Sequence, residues 1–150
     1  MKYLVKKSMT LIPFVGWSMR LAGDIPLSRG NRNSATVAMK RCAEYLKNGM
    51  NVMIFPEGTR SISGDLGVFK DGAFRLAIET QCDICPIAIA GTENSLKINS
   101  LVFGPSKGLV TVGKPIKTKG MKMEDLESLK EKVRKAIIDL YKEIEPKAVL

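Results

Sequence analysis

Apolar residues along the chain recur in two periods, and the switches between them predict a series of helices and strands. Ala35, Ala38, Met39, Cys42 and Leu46 keep the three- and four-residue spacing of a single buried stripe, with Lys40, Arg41, Glu44 and Lys47 outside it. The polar run Gly30, Asn31, Arg32, Asn33, Ser34 can cap the start of this helix, which should end near Asn48 with Gly49 in the left-handed position. An apolar strand over 50–55 then completes a strand, helix, strand unit, which favours a right-handed crossover. Phe74, Ala77 and Ile78 mark a helix over 73–81, and 85–90 is apolar enough for an interior strand. Residues 110–116 form a last strand closed by Pro115, and 96–108 carry no assignable pattern. The longest stripe is Leu126, Leu129, Val133, Ile137, Leu140 and Ile144, in a helix over 123–144. Glu124 and Asp125 lie at the positive end of that helix, and the seven acidic residues between 124 and 145 suit a solvated outer face, so the stripe speaks of core packing alone.

The first 22 residues fit neither period. Lys2, Lys6, Lys7 and Arg20 are mixed with Tyr3, Leu4, Val5, Leu11, Ile12, Phe14, Val15 and Trp17. The uncharged run between Lys7 and Arg20 is twelve residues, interrupted by Pro13 and Gly16, where a membrane span needs about twenty. A signal peptide shares some of these parts, but its apolar core would be continuous. The preferred expectation for 1–22 is a segment lying on an anionic bilayer surface, with packing of the same residues on a sheet as the alternative.

The chain has 150 residues, enough for one domain, and is 45% hydrophobic and 26% charged, as globular proteins are. Its net charge of +9 and pI near 9.6 imply polyanionic partners: nucleic acid, an anionic membrane or a phosphorylated substrate. Only nine aromatic residues are present, and none interleave with basic ones in the way that stacks bases, so no nucleic-acid partner is expected. Three cysteines, an odd number, favour a reducing compartment. Cys82 and Cys85 form a C-x-x-C pair, but it runs from a helix end into a strand, the reverse of the order that lowers a thiol pKa. With no histidine and no second cysteine pair a zinc site lacks ligands, so no metal is expected, and the cysteines are read as small buried thiols with Cys42 on a helix face.

The candidate chemistry lies in Phe55, Pro56, Glu57, Gly58, Thr59, Arg60 and Ser61, a loop closing the 50–55 strand. Pro56 ends the ladder, and Gly58 lets backbone approach a ligand. Thr59 offers a hydroxyl and Arg60 a planar fork suited to a phosphate, while Glu57 can orient that fork or hold a substrate hydroxyl. The plain alternative is a surface turn with a Glu57 to Arg60 ion pair, worth about 0 to 1 kcal/mol. Residues 61–71, with glycines 64 and 67, read as a mobile flap beside the loop; neither a P-loop nor a dinucleotide fingerprint is present.

This loop resembles the third signature block of the glycerolipid acyltransferases, the lysophosphatidate acyltransferase family. Gly23 to Arg29 resembles the second block, and Cys85 to Thr92 the fourth, in the expected order. Phe69 to Phe74 is similar to the family's connecting segment and Val110 to Ile116 to its late strand, so the resemblance covers roughly residues 4 to 116. It implies an α/β fold, a mixed and largely parallel sheet flanked by helices, of the glycerol-3-phosphate acyltransferase kind. It also implies transfer of an acyl group from a thioester of coenzyme A or acyl carrier protein to lysophosphatidate, giving phosphatidate, with no metal or prosthetic cofactor. In that scheme Arg60 and Lys6, with Arg29, hold the phosphate, and Glu57, Gly58 and Thr59 set the glycerol backbone. The protein would sit peripherally on the cytoplasmic face of a membrane.

The family's first block pairs a histidine with an aspartate five residues later, and this chain contains no histidine. No catalytic residue is therefore identifiable, and losing such a base costs about 10²- to 10⁴-fold in rate. The preferred expectation is a single acyltransferase domain over 1–150 whose natural chain begins upstream. The alternative is a non-catalytic lysophospholipid- or membrane-surface-binding module.

Overall fold

The computed structural model describes residues 1–59, 66–92, 95 and 102–148. Its centre is a strand that periodicity did not predict, β1 (Lys2–Lys6), which pairs in parallel with β2 (Ile25–Leu27) on one side and β3 (Val52–Met53) on the other. Three apolar or aromatic residues between lysines are too few to show alternation. A parallel neighbour on each side supplies the order that local pattern lacks. The expectation for 1–22 is corrected in part: 2–6 is sheet, as the alternative had it, and the exposed apolar residues Leu11, Phe14, Trp17 and Leu21 lie beyond it.

Parallel neighbours require crossovers. The first is a 3₁₀ turn (Lys7–Leu11) followed by α1 (Val15–Ala22), and the second is α2 (Arg32–Lys47). Gly16 is needed where α1 meets the turn, because a Cβ there would lie 2.2 Å from the Thr10 carbonyl oxygen. Helix α2 begins where expected, with the Asn31 side chain accepting the Ser34 N–H at 2.9 Å, and Gly49 past its end takes φ 74°. Strand β3 is shorter than 50–55, because the ladder to β1 joins only Val52 and Met53 before the chain turns away.

Helix α3 (Gly72–Thr80) carries Phe74, Leu76, Ala77 and Ile78, all buried. Phe74 and Ile78 pack into a cluster with Phe69, Leu129 and Val133, whereas Leu76 joins Ile25, Ala38 and Cys42 under the parallel sheet. The helix is thus wedged between two neighbours, which is why its apolar surface is wider than one stripe. The last helix, α4 (Leu126–Ala148), follows a 3₁₀ turn at Met123–Asp125 and starts three residues later than expected. Its stripe faces inward as the spacing predicted, with Leu129 fully buried and Ile144 packed on Ala88 and Ala90.

The remaining strands, β4 (Ile87–Ala90) and β5 (Leu109–Val112), form an antiparallel pair of their own. The α/β architecture with parallel strands and flanking helices is as expected, but the described strands divide between two hydrogen-bonded sheets. Strand β4 is not interior: Ala88 and Ala90 are buried, while Ile89 opposite Val110 lies on an exposed face. Cys85 lies on that outer side, so the expectation of buried thiols holds for Cys42 and fails for Cys85, with Cys82 half-buried. Burial pushes the Cys42 thiol up to about 11, which leaves it protonated at neutral pH.

Because Leu129 joins α4 to α3, its replacement by alanine is expected to cost about 2–5 kcal/mol. Urea unfolding should show a lower midpoint at unchanged slope.

Candidate functional site

The topology brings three loops to one edge. In three parallel strands all carboxyl ends point the same way, and here they lead into Lys6, into Ser28 and Arg29, and into the loop after Ile54. The strand order β2, β1, β3 reverses direction beside β1, and at such a reversal the outgoing loops part to leave a crevice. Lys6 ends the middle strand, level with Leu27, and is exposed. Arg29 follows two residues past Leu27 in a turn held by two bonds: Asn31 N–H donates to the Ser28 carbonyl at 3.4 Å, and Ser28 N–H to Ser34 Oγ at 2.9 Å. With strands about 4.8 Å apart, the chain segments that lead to Arg29 and to the 56–59 loop leave β2 and β3 on either side of β1.

The loop is ordered by its own turn and by a second segment. Gly58 N–H donates to the Phe55 carbonyl at 3.1 Å, and Gly58 has φ +69°, a conformation that disfavours side chains. Lys70 N–H donates to the Pro56 carbonyl at 2.9 Å, and Gly67 N–H donates to Glu57 Oε2 at 2.7 Å. Glu57 is therefore a tie across the site, with its other oxygen able to accept. Thr59 is exposed, and Arg60 lies outside the described residues. The flap expected over 61–71 is outside them through residue 65. The described part is held: Arg134 on α4 donates to the Gly67 and Leu66 carbonyls at 2.5 and 2.7 Å, and its guanidinium lies 5.4 Å from the Phe69 ring centroid.

Two side chains that touch the candidate site or its support went unread in the sequence. Lys70 is one: its ammonium would lie 2.9 Å from a Cβ on residue 58, so it rests directly on the loop glycine. A lysine before Asp71 gives no pattern of its own, and only the bond to Pro56 brings it here. Arg134 is the other, because spacing along a helix cannot show that two carbonyls wait opposite it. The neighbouring Asp71 anchors the start of α3 to α4 through Lys130 at 2.9 Å, and that ammonium holds the Asp71 carboxyl below its ordinary pKa. Among the described residues no group of three or more histidine, cysteine or acidic side chains could hold a metal ion.

An α/β domain with basic residues and a glycine-containing loop at its parallel strand ends has an arrangement that suits a phosphate group. The acyltransferase family model matches residues 1–90, and the chain belongs to that family. It is 40% identical over 116 residues to the chloroplastic 1-acyl-sn-glycerol-3-phosphate acyltransferase LPAT1 of Arabidopsis thaliana, a match covering 77% of this chain and 33% of that protein. The 1-acyl-sn-glycerol-3-phosphate acyltransferase of Saccharomyces cerevisiae is 34% identical over 142 residues, covering 93% of this chain and 47% of the yeast enzyme. The crystal structure of the 1-acyl-sn-glycerophosphate acyltransferase PlsC from Thermotoga maritima superposes with a TM-score of 0.80 at 30% identity, covering 99% of this chain and 58% of that one. The chain thus spans between about a third and somewhat over half of the length of these relatives.

Replacing Gly58 by alanine adds a Cβ where the backbone is left-handed and Lys70 is in contact. It should weaken binding of glycerol 3-phosphate while lowering the folding stability by about 1–2 kcal/mol. Titration calorimetry beside urea unfolding separates the two effects.

Proposed function

We propose that this chain forms the acceptor-binding part of a lysophosphatidate acyltransferase. The observation that carries it is the convergence of Lys6, Arg29 and the 56–59 loop on one parallel-strand edge. The names of the similar enzymes from Arabidopsis, yeast and Thermotoga support the same substrate class. Lys6 and Arg60 grip the acceptor phosphate with Arg29 at the rim, at about 1.5–3 kcal/mol for each charge-assisted contact. Gly58 lets the glycerol approach the backbone, while Thr59 and the free oxygen of Glu57 receive its polar groups.

In the reaction, the free hydroxyl attacks the carbonyl carbon of an acyl thioester carried by coenzyme A or acyl carrier protein. The new C–O bond forms, the C–S bond breaks, and the hydroxyl proton passes by way of a base to the departing thiolate. These 150 residues hold no histidine, so their own contribution is to bind and position the acceptor. The same observation favours a second reading, a lysophospholipid-binding module without transfer.

A bilayer is the source of such an acceptor, and the first crossover is built to meet one. Leu11, Phe14, Trp17 and Leu21 are 73%, 76%, 57% and 90% exposed, and in α1 only Gly16 is buried. Phe14 has φ 61° in a tight turn closed by Val15 N–H to the Pro13 carbonyl, which sets its ring edge-on to Trp17 at 5.1 Å. No helix among the described residues is long and apolar enough to cross a membrane. On this reading the exposed segment rests on an anionic bilayer surface, on the cytoplasmic face where thiols stay reduced.

In the natural protein carrying this chain, Arg60→Ala or Lys6→Met should raise the Michaelis constant for lysophosphatidate roughly ten- to a hundredfold, leaving that for the acyl thioester nearly unchanged. Unaltered acceptor kinetics in both variants would refute the assignment. Binding of lysophosphatidate vesicles with no acyl transfer by the wild type would select the second reading.

A further inference from the structure

Strand β2 lies at the edge of the parallel sheet, and beside it is a cavity of about 290 Å³ whose lining includes Lys7, Thr10, Met19, Arg20, Asp24 and Arg41. Lys6, Arg29 and residues 57–59 are not in that lining, so the cavity is separate from the strand-end crevice. Three walls each contribute a cation: Lys7 from the 3₁₀ turn, Arg20 from the last turn of α1, and Arg41 from the exposed side of α2. The lining also carries one carboxylate, Asp24, whose Oδ1 accepts the Tyr3 N–H at 3.0 Å, so the cations exceed it by two. The ion pairs among the described residues join Asp71, Asp83 and Glu127 to Arg75, Lys117 and Lys130, and none involves these three cations.

The walls are held independently of any ligand. Gly23 N–H and Asp24 N–H close α1 on the Arg20 and Met19 carbonyls at 3.0 and 2.9 Å. The Tyr45 hydroxyl donates to the Gly23 carbonyl at 3.0 Å, and the Lys2 ammonium donates to the carbonyl of Ala22. Thr10 Oγ1 donates to the Lys7 carbonyl at 2.7 Å. Three cations and one carboxylate thus face one cavity, a net positive lining that favours an anion. The same two elements that carry Lys7, Thr10, Met19 and Arg20 also carry the exposed Leu11, Trp17 and Leu21, with exposed Phe14 in the link between them. A basic cavity beside an apolar ridge matches a molecule with an anionic head and apolar tails, and the volume is that of about ten water molecules.

We propose that this cavity is a headgroup socket for an anionic phospholipid of the bilayer, separate from the acceptor site; the inference rests on the membrane-surface reading above. The test is sedimentation with phosphatidylcholine vesicles, with and without phosphatidylglycerol. It uses the wild type, the pair Arg20→Gln/Arg41→Gln, a control pair Lys132→Gln/Lys135→Gln on the exposed side of α4, and Trp17→Ala/Leu21→Ala.

The wild type should prefer the phosphatidylglycerol vesicles. The socket pair should lose about fivefold in affinity per cation removed, with its weaker binding to neutral vesicles intact. The control pair should lose far less, and inorganic phosphate should not release the protein. Equal losses in socket and control pairs would show diffuse attraction, and release by phosphate would show a free-anion site; either overturns the socket alone. A wild type that binds neither vesicle, or a Trp17→Ala/Leu21→Ala variant that binds as the wild type does, overturns the membrane reading and the socket with it.

Discussion

The candidate site depends on parallel pairing along both sides of β1. Five residues carry two ladders, and because both are parallel, the three following loops leave from a single edge. An antiparallel neighbour would send its loop to the opposite edge and take Arg29 or Glu57 away from Lys6. Parallel pairing in turn requires crossovers, and the two that form have different fates. Helix α2 covers the sheet and buries Ala38 and Cys42, whereas α1 packs closely on its preceding turn and leaves its apolar residues outside.

The loop after β3 is ordered from a distance. Arg134 on α4 holds the carbonyls of residues 66 and 67, Gly67 N–H holds Glu57, and Lys70 N–H holds Pro56. Asp71, next in the chain, is tied to Lys130 on the same helix. A helix whose sequence speaks only of packing thereby sets the position of a loop some 70 residues earlier. The wedge of α3 between its neighbours makes this support stiff, because Phe74 and Leu76 look into different apolar clusters.

The elements legible in the sequence were those that carry their own signal. Helices α2 and α4 have long stripes and recognisable ends, and the 55–59 loop has residue types that suit a phosphate. Strand β1 was missed because its order comes from two partners distant in sequence. Helix α1 was missed because Pro13 and Gly16 resemble breaks, although Gly16 is there to let the helix touch Thr10. Strand β4 looked interior because composition cannot distinguish a face packed on α4 from one left open. Lys70 and Arg134 enter the site through single backbone contacts that leave no periodic trace.

The claim on which the account rests is that one phosphate is held jointly by the ends of three strands. Amide nitrogen–proton spectra of the chain titrated with glycerol 3-phosphate address it directly. The signals of Lys6, Arg29, Glu57, Gly58 and Thr59 should move together with one dissociation constant. Movement confined to Lys7, Arg20 and Arg41, or independent constants for the three strand ends, would contradict it.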